Sequence, residues 1–142
     1  MYFRRGNVWQ QLCSQQHNDE STVRHANDNV NLQFSQGYPQ CLYKNFSPLR
    51  WDRPFYYGLF RNHVAVFMFE NSPRFRFTHS PSGGGTNTPL QTTNPAWDFQ
   101  YIIPNYEVNR DYQFRARLAY RPRCPRSTIL QEVDTWLASL QN

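Results

Sequence analysis

The feature that most constrains the fold is a succession of short segments that alternate apolar and polar residues, with turn residues between them. The longest, Tyr112–Tyr120, has the pattern of a strand with one solvent-facing side. Val64–Phe69 is apolar throughout and indicates a buried strand, and Arg61–His63 before it is typical of a hairpin turn. Strands of this kind, spaced roughly 8–12 residues apart, predict an all-β fold.

We therefore predict an antiparallel β-sandwich, jelly-roll-like in arrangement, with one C-terminal α-helix over residues 127–141. A long meander packed against that helix is the alternative. Ser127 or Thr128 is the predicted N-cap, since Thr128 and Gln131 have the spacing of a capping box. The helix is expected to pack on the sheet through one apolar stripe, formed by Ile129, Val133, Trp136, Leu137 and Leu140.

The sequence predicts two parts of unequal order. Residues 1–29 contain few apolar groups and are expected to be poorly ordered or loosely docked, because little burial offsets the entropy of ordering them. Residues 30–142 are expected to form the single sandwich domain, beginning with an alternating strand over Val30–Phe34.

Two strands flank the stretch that carries most of the candidate polar side chains. In the first, Phe75 and Phe77 are expected on one face and Arg74 and Arg76 on the other. The second strand contains Trp97, Phe99 and Tyr101 on one face. Earlier in the chain, Gly58 interrupts an aromatic run, which indicates a bulge or a close approach of another group to the backbone.

A loop from Thr78 to Asp98 is the predicted binding site, because loops between rigid strands are where binding side chains concentrate. Aromatic residues make up 17% of the chain and charged residues only 18%, so aromatic platforms with uncharged polar neighbours are plentiful. Such surfaces suit carbohydrates or other polar small ligands. The predicted ligand-binding residues are His79, Ser80, Ser82, Trp97 and Asp98.

Two other functions remain open. One is a sugar-active enzyme that uses Glu70, His79 and Asp98 as acid–base residues, in the way that glycosidases use paired carboxylates. The same loop holds the residue types of a serine triad, but the Gly-x-Ser-x-Gly elbow is absent, so ordinary hydrogen-bonding hydroxyls are the simpler interpretation. The other is an assembly subunit whose aromatic faces or terminal helix contact another chain.

Composition and spacing argue against several classes of site. The four histidines lie far apart without a helical pair, and the three cysteines form no Cys-x-x-Cys motif, so we expect neither a metal nor a cofactor. The formal charge of +5 comes almost entirely from dispersed arginines, which favours a solvated basic face over nucleic-acid binding. No apolar segment has the length of a signal sequence core or a membrane span, so neither is expected.

Several segments between Phe55 and Tyr120 resemble a set of uncharacterised bacterial proteins. They are Ser-Pro-Ser-Gly-Gly-Gly, Asn-Pro-Ala-Trp-Asp-Phe-Gln and Ile-Pro-Asn-Tyr-Glu-Val. The resemblance covers about half of the chain and implies a bacterial, all-β protein. That set has no assigned activity, so the resemblance assigns no role to any residue.

Overall fold

The computed structural model describes residues 1–14, 20–33, 44–80 and 96–141, and within them the chain is mostly β with one C-terminal helix. The strands are β1 (Tyr2–Arg5), β2 (Val8–Gln11), β3 (Thr22–His25), β4 (Phe46–Trp51), β5 (Phe55–Phe60), β6 (His63–Phe69), β7 (Phe75–Ser80), β8 (Ala96–Tyr101) and β9 (Ala116–Pro122). The helix α1 spans Arg126–Ser139.

These strands form two sheets. The first has the order β2-β1-β5-β6-β9, and each neighbouring pair in it is antiparallel. The second has the order β4-β3-β7-β8. Its β3–β4 pair is parallel, which differs from the predicted all-antiparallel arrangement. A parallel pair needs a long connection, and 20 residues separate His25 from Phe46 in the sequence, as such a crossover requires.

The two sheets bury one aromatic core between them. Phe3, Tyr56 and Phe69 contribute to it from the first sheet, and Trp51 and Phe77 from the second. Tyr56 stacks on Phe67 and contacts both Phe69 and Phe77, with ring centroids 4.7–5.9 Å apart. These large rings supply much of the apolar area that holds the sheets together.

A second core lies between α1 and the other face of the first sheet. Ile129, Val133 and Trp136 of the helix pack with Phe55, Tyr57, Val64, Val66 and Met68. The predicted apolar stripe is therefore confirmed. The predicted cap is wrong, because Pro125 is the N-cap residue and no side chain caps the helix. Proline fits this position since its fixed φ is compatible with a helix start and its missing N–H has no partner to lose.

The described part of residues 1–29 forms strands of both sheets, whereas the sequence predicted a poorly ordered or loosely docked segment. β1 pairs with β5, and β3 pairs with both β4 and β7, so the segment belongs to both sheets. Phe3 and Val23 are fully buried. Strands of four residues are too short to give a periodic signal, yet pairing and two buried anchors hold them in place.

Residues 26–33 contain no strand, so the strand predicted at Val30–Phe34 is wrong for residues 30–33; Phe34 lies outside the described residues. Instead this segment covers the outer face of the second sheet. Asp28 accepts hydrogen bonds from Arg76 at 2.6 and 3.2 Å, and both side chains are almost completely buried. Arg76 is thus buried rather than solvated, whereas Arg74, just before β7, is exposed.

Candidate functional site

The β7–β8 pair separates the residues that the sequence predicted to act together. His79 lies opposite Trp97, and Thr78 lies opposite Asp98. Opposed residues share a face and successive residues alternate between faces, so His79 and Trp97 face the first sheet. Ser80 and Asp98 point to the opposite side. The described structure therefore does not join His79 with Asp98 in one acid–base set.

His79 is built into the core. Its side chain is buried, and Nδ1 accepts a hydrogen bond from the backbone N–H of Ser14 at 3.1 Å. The Ser14 hydroxyl donates to the carbonyl of His79 at 3.2 Å. Burial, together with the positive N-terminal ammonium group, lowers the pKa of His79 to about 4. The imidazole is consequently neutral at pH 7, with its proton on Nε2.

Trp97 lies directly on the backbone of β5. A Cβ atom placed at Gly58 falls 2.6 Å from Cε2 of Trp97, and other atoms of the same ring are closer still. The ring also meets Phe67 edge-on, with centroids 6.5 Å apart. The close approach predicted from Gly58 is confirmed, and half-buried Trp97 packs against the core between the sheets.

Of the remaining predicted loop residues, Ser80 and Asp98 are described by the structure and Ser82 is not. Ser80 is buried, and its hydroxyl has no hydrogen-bond partner among the described residues, whereas Asp98 is half-buried. Ser82 lies outside the described residues, as does all of the predicted loop from 81 to 95. A binding site in the Thr78–Asp98 loop therefore stays a prediction.

Glu70, the other predicted acid–base candidate, lies in a cleft of about 480 Å³ at one end of the first sheet. It directly follows β6, and its carboxylate accepts from Nε of Arg115 at 3.3 Å. Its backbone N–H donates to the carbonyl of Arg115 at 3.0 Å. Across the same cleft Asp134 of α1 pairs with Arg53, which follows β4. Each of these two carboxylates is thus matched by one guanidinium group.

A second cavity of about 540 Å³ adjoins this cleft, since Asp52 and Asn71 line both. We call the two together the end groove. Its lining includes the four charged residues of the cleft just described and the two residues shared by both cavities. The other lining residues are His25, Ala26, Asn27, Pro54, Ser72, Pro73, Leu137, Leu140 and Gln141.

Asp52 occupies the junction of the end groove. One carboxylate oxygen, Oδ2, accepts the backbone N–H of Gly6 at 2.6 Å. The other, Oδ1, is buried without a hydrogen-bond partner among the described residues. Nearby, His25 accepts from the N–H of Asn27 at 2.9 Å and packs edge-on against Trp51. Burial lowers the pKa of His25, although the carboxylates of Asp52 and Asp28 oppose that shift.

The end groove can hydrogen-bond a polar ligand in both directions. Carboxylates of Asp52, Glu70 and Asp134 accept hydrogen bonds, and the guanidinium groups of Arg53 and Arg115 donate them. Sequence reasoning found only Glu70 among these groups. The available signal was a pair of proline-containing turns, Asp52-Arg53-Pro54 and Asn71-Ser72-Pro73, but only the tertiary structure shows that they meet.

Within the described ranges, no group of three or more His, Cys, Asp or Glu side chains is placed to hold a metal ion. The described helix is too short and too polar to cross a membrane. Comparison with family models, with curated proteins and with solved structures gave no match to this chain.

Proposed function

We propose that this chain is a β-sandwich domain that binds a polar small ligand, a carbohydrate in particular, in the end groove. The observation that carries the proposal is the pair of adjoining cavities that share Asp52 and Asn71. Planar polar side chains outnumber apolar ones in their combined lining. A chain of linked sugar rings carries hydroxyl groups that pair with such side chains.

Hydrogen bonding gives the reason for preferring a sugar. Each hydroxyl both donates and accepts, so it pairs with a carboxylate on one side and with a guanidinium or amide group on the other. The C–H face of a sugar ring needs an apolar surface, which Leu137 and Leu140 supply at the helix end.

The loop site and the end groove are separate places for the same ligand class, and a mutational test distinguishes them. Asn71→Ala removes an exposed amide from the groove, Ser82→Ala alters the predicted loop, and Asn105→Ala is a matched control outside both. Binding is measured by a glycan array, followed by calorimetry on any glycan that binds.

Under the proposal, Asn71→Ala weakens binding by at least about fivefold, which corresponds to losing one hydrogen bond of roughly 1 kcal/mol. Ser82→Ala and Asn105→Ala bind as the unaltered chain does. Loss of binding in Ser82→Ala alone would move the site to the loop. A complete absence of glycan binding would refute the proposed function.

The sugar-active enzyme is a second candidate, because Glu70 and Asp134 line one cleft and glycosidases act through two carboxyl groups. Release of reducing ends from a glycan that binds would indicate hydrolysis. If that release disappears in Glu70→Gln while the glycan still binds, Glu70 acts in catalysis. We expect binding without turnover in both forms, since each carboxylate is already engaged by an arginine.

A further inference from the structure

The outer edge of β9 is a second surface with distinct chemistry. β9 ends the first sheet and pairs with β6 on one side, while no strand in the described ranges pairs with its other side. An edge of this kind presents unpaired backbone N–H and C=O groups to which another strand can bond. We refer to β9 and the side chains around this edge as the β9 edge.

One face of the β9 edge is apolar and exposed. Leu118 and Tyr120 lie opposite Phe67 and Ala65, so they face the side on which the second sheet packs. Both are nevertheless 57% exposed. Among the described strands, β8 is the last of the second sheet, and its Trp97 reaches only as far as β5 and β6.

The apolar face extends across the end of the neighbouring hairpin. Phe60 is 55% exposed and lies opposite His63, which stacks on Tyr120 with ring centroids 4.7 Å apart and planes within 6°. Phe60 and Tyr120 thus place exposed rings on the same side of the sheet, with the half-buried ring of His63 between them. Contiguous exposed apolar surface of this kind marks interaction sites more often than scattered single residues do.

The opposite face of the β9 edge is basic. Arg117 and Arg121 both pair with the carboxylate of Glu132 on α1, at 3.1 and 2.9 Å. One carboxylate cannot neutralise two guanidinium groups, so a net positive charge remains on this face. Arg123, just beyond the end of β9, is exposed and adds to it.

We propose that the β9 edge binds an extended peptide segment in which acidic and apolar residues alternate. The segment adds to the first sheet as a sixth strand, through backbone hydrogen bonds to β9. Side chains of a strand alternate between its two faces, so the apolar set meets Leu118 and Tyr120 while the acidic set meets Arg117 and Arg121. The alternation of acidic and apolar residues in the peptide therefore follows from the basic and apolar faces of β9.

Charge disfavours a second copy of this chain as the occupant. Antiparallel pairing of two β9 strands about Ala119 sets Arg117 of each copy opposite Arg121 of the other. Like charges directly opposite one another destabilise a sheet pair. Each copy also carries a formal charge of +5. An acidic strand is instead attracted both by Arg117 and Arg121 and by the net positive charge of the chain.

The test uses a fluorescein-labelled peptide, Glu-Val-Glu-Tyr-Glu-Val-Glu, titrated with the full chain and followed by fluorescence anisotropy. Two comparison peptides have the same length: one is N-methylated at alternate residues, and the other has lysine in place of glutamate. Leu118→Ser and Tyr120→Ser alter the apolar face. Val108→Ser is the matched control, because Val108 is 78% exposed and lies outside β9. Circular dichroism verifies that each variant is folded.

The proposal expects saturable binding of the acidic peptide that weakens with added salt. N-methylation, lysine replacement, Leu118→Ser and Tyr120→Ser should each weaken it by about tenfold or more, whereas Val108→Ser should leave it unchanged. Equal binding of the N-methylated peptide would overturn strand addition. So would the absence of saturable peptide binding.

Two parallel measurements identify the other occupants. Sedimentation of the chain alone would show a dimer, dispersed by Leu118→Ser, if a second copy covered the edge. The surface would be assigned to single-stranded nucleic acid if an oligothymidylate bound the unaltered chain but not Tyr120→Ser, and if the acidic peptide did not bind. Either result would overturn the peptide proposal. Neither depends on whether the end groove binds a glycan.

Discussion

Replacing Gly58 with alanine tests the contact that fixes Trp97 between the sheets. The added methyl carbon would stand 2.6 Å from Cε2 of Trp97, a separation that real Cβ atoms essentially never show. Because Gly58 is in the middle of β5, opposite Ala65, the backbone cannot retreat without breaking pairing with β6. The indole ring is therefore the group that has to move.

The expected cost follows from what the ring loses. A tryptophan buries on the order of 200 Å² when fully enclosed, so a half-buried ring that is expelled gives up roughly 100 Å². At about 25 cal/mol per Å² this amounts to about 2.5 kcal/mol. Overpacking in cores costs about 1–3 kcal/mol, which agrees with this figure. We expect Gly58→Ala to reduce the free energy of unfolding by about 2–3 kcal/mol.

A double-mutant cycle with Trp97→Ala isolates the contact. Without the indole, the methyl group of Gly58→Ala has room, and alanine in a strand gains about 0.5–1 kcal/mol over glycine. The two single changes should thus couple by about 3 kcal/mol in urea unfolding followed by far-ultraviolet circular dichroism. Gly6→Ala is the control, because Gly6 has a φ of +56° and open space around it. It should cost about 1–2 kcal/mol with or without Trp97.

A Gly58→Ala variant as stable as the unaltered chain, or one whose cost is the same in the Trp97→Ala background, would refute this reasoning. Either result would mean that the indole does not rest on β5. The assignment of Trp97 to the core, rather than to a ligand surface, would then have to be withdrawn.

Two further predictions concern buried polar groups. Asp28→Asn keeps an acceptor for the N–H of Val30 but leaves the charge of Arg76 unpaired in the interior, so it should lower the free energy of unfolding by about 3–5 kcal/mol. The double variant Asp28→Leu, Arg76→Leu should lose less than Asp28→Asn alone in the same urea assay, and a larger loss would contradict a buried ion pair. The folded-state pKa of His79, about 4, is below the ordinary value of 6.5, so the unfolded chain binds the proton first as pH falls. Stability should fall as pH is lowered from about 6.5 to about 4, and His79→Gln should flatten that part of the profile; an NMR titration that places the folded-state pKa near 6.5 would contradict it.

Much of the fold was accessible from the sequence, because residues that are buried at regular intervals produce a regular pattern of apolar residues in the sequence. The helical stripe at Ile129, Val133 and Trp136 is buried as predicted, and the hairpin between β5 and β6 turns at Arg61 and Asn62. The strand β8 begins within one residue of the predicted Trp97. In each case a continuous apolar run, an alternation or a helical repeat is present, so local sequence and tertiary packing favour the same structure.

The residues of the end groove were less accessible from the sequence, since they come from separate loops and from α1. Asp52 follows β4, Asn71 comes shortly after β6 and Asp134 lies within α1, and no spacing in the sequence connects them. Conversely, His79 and Asp98 belong to adjoining strands but point to opposite faces, because their cross-strand partners are one position apart. Register decides this, and register is set by pairing between distant segments.

By itself the sequence determined several of the extended segments, the turn between β5 and β6, and which face of the final helix is apolar. Those properties depend on neighbouring residues, because their alternation or helical spacing is visible within a short stretch of sequence. Only the tertiary structure decided that Arg76 is buried against Asp28, that Trp97 rests on Gly58, and that the turns at Asp52 and Asn71 meet the end of α1 in one groove. Each of these requires residues far apart in the chain to come together, so its energy depends on the fold as a whole.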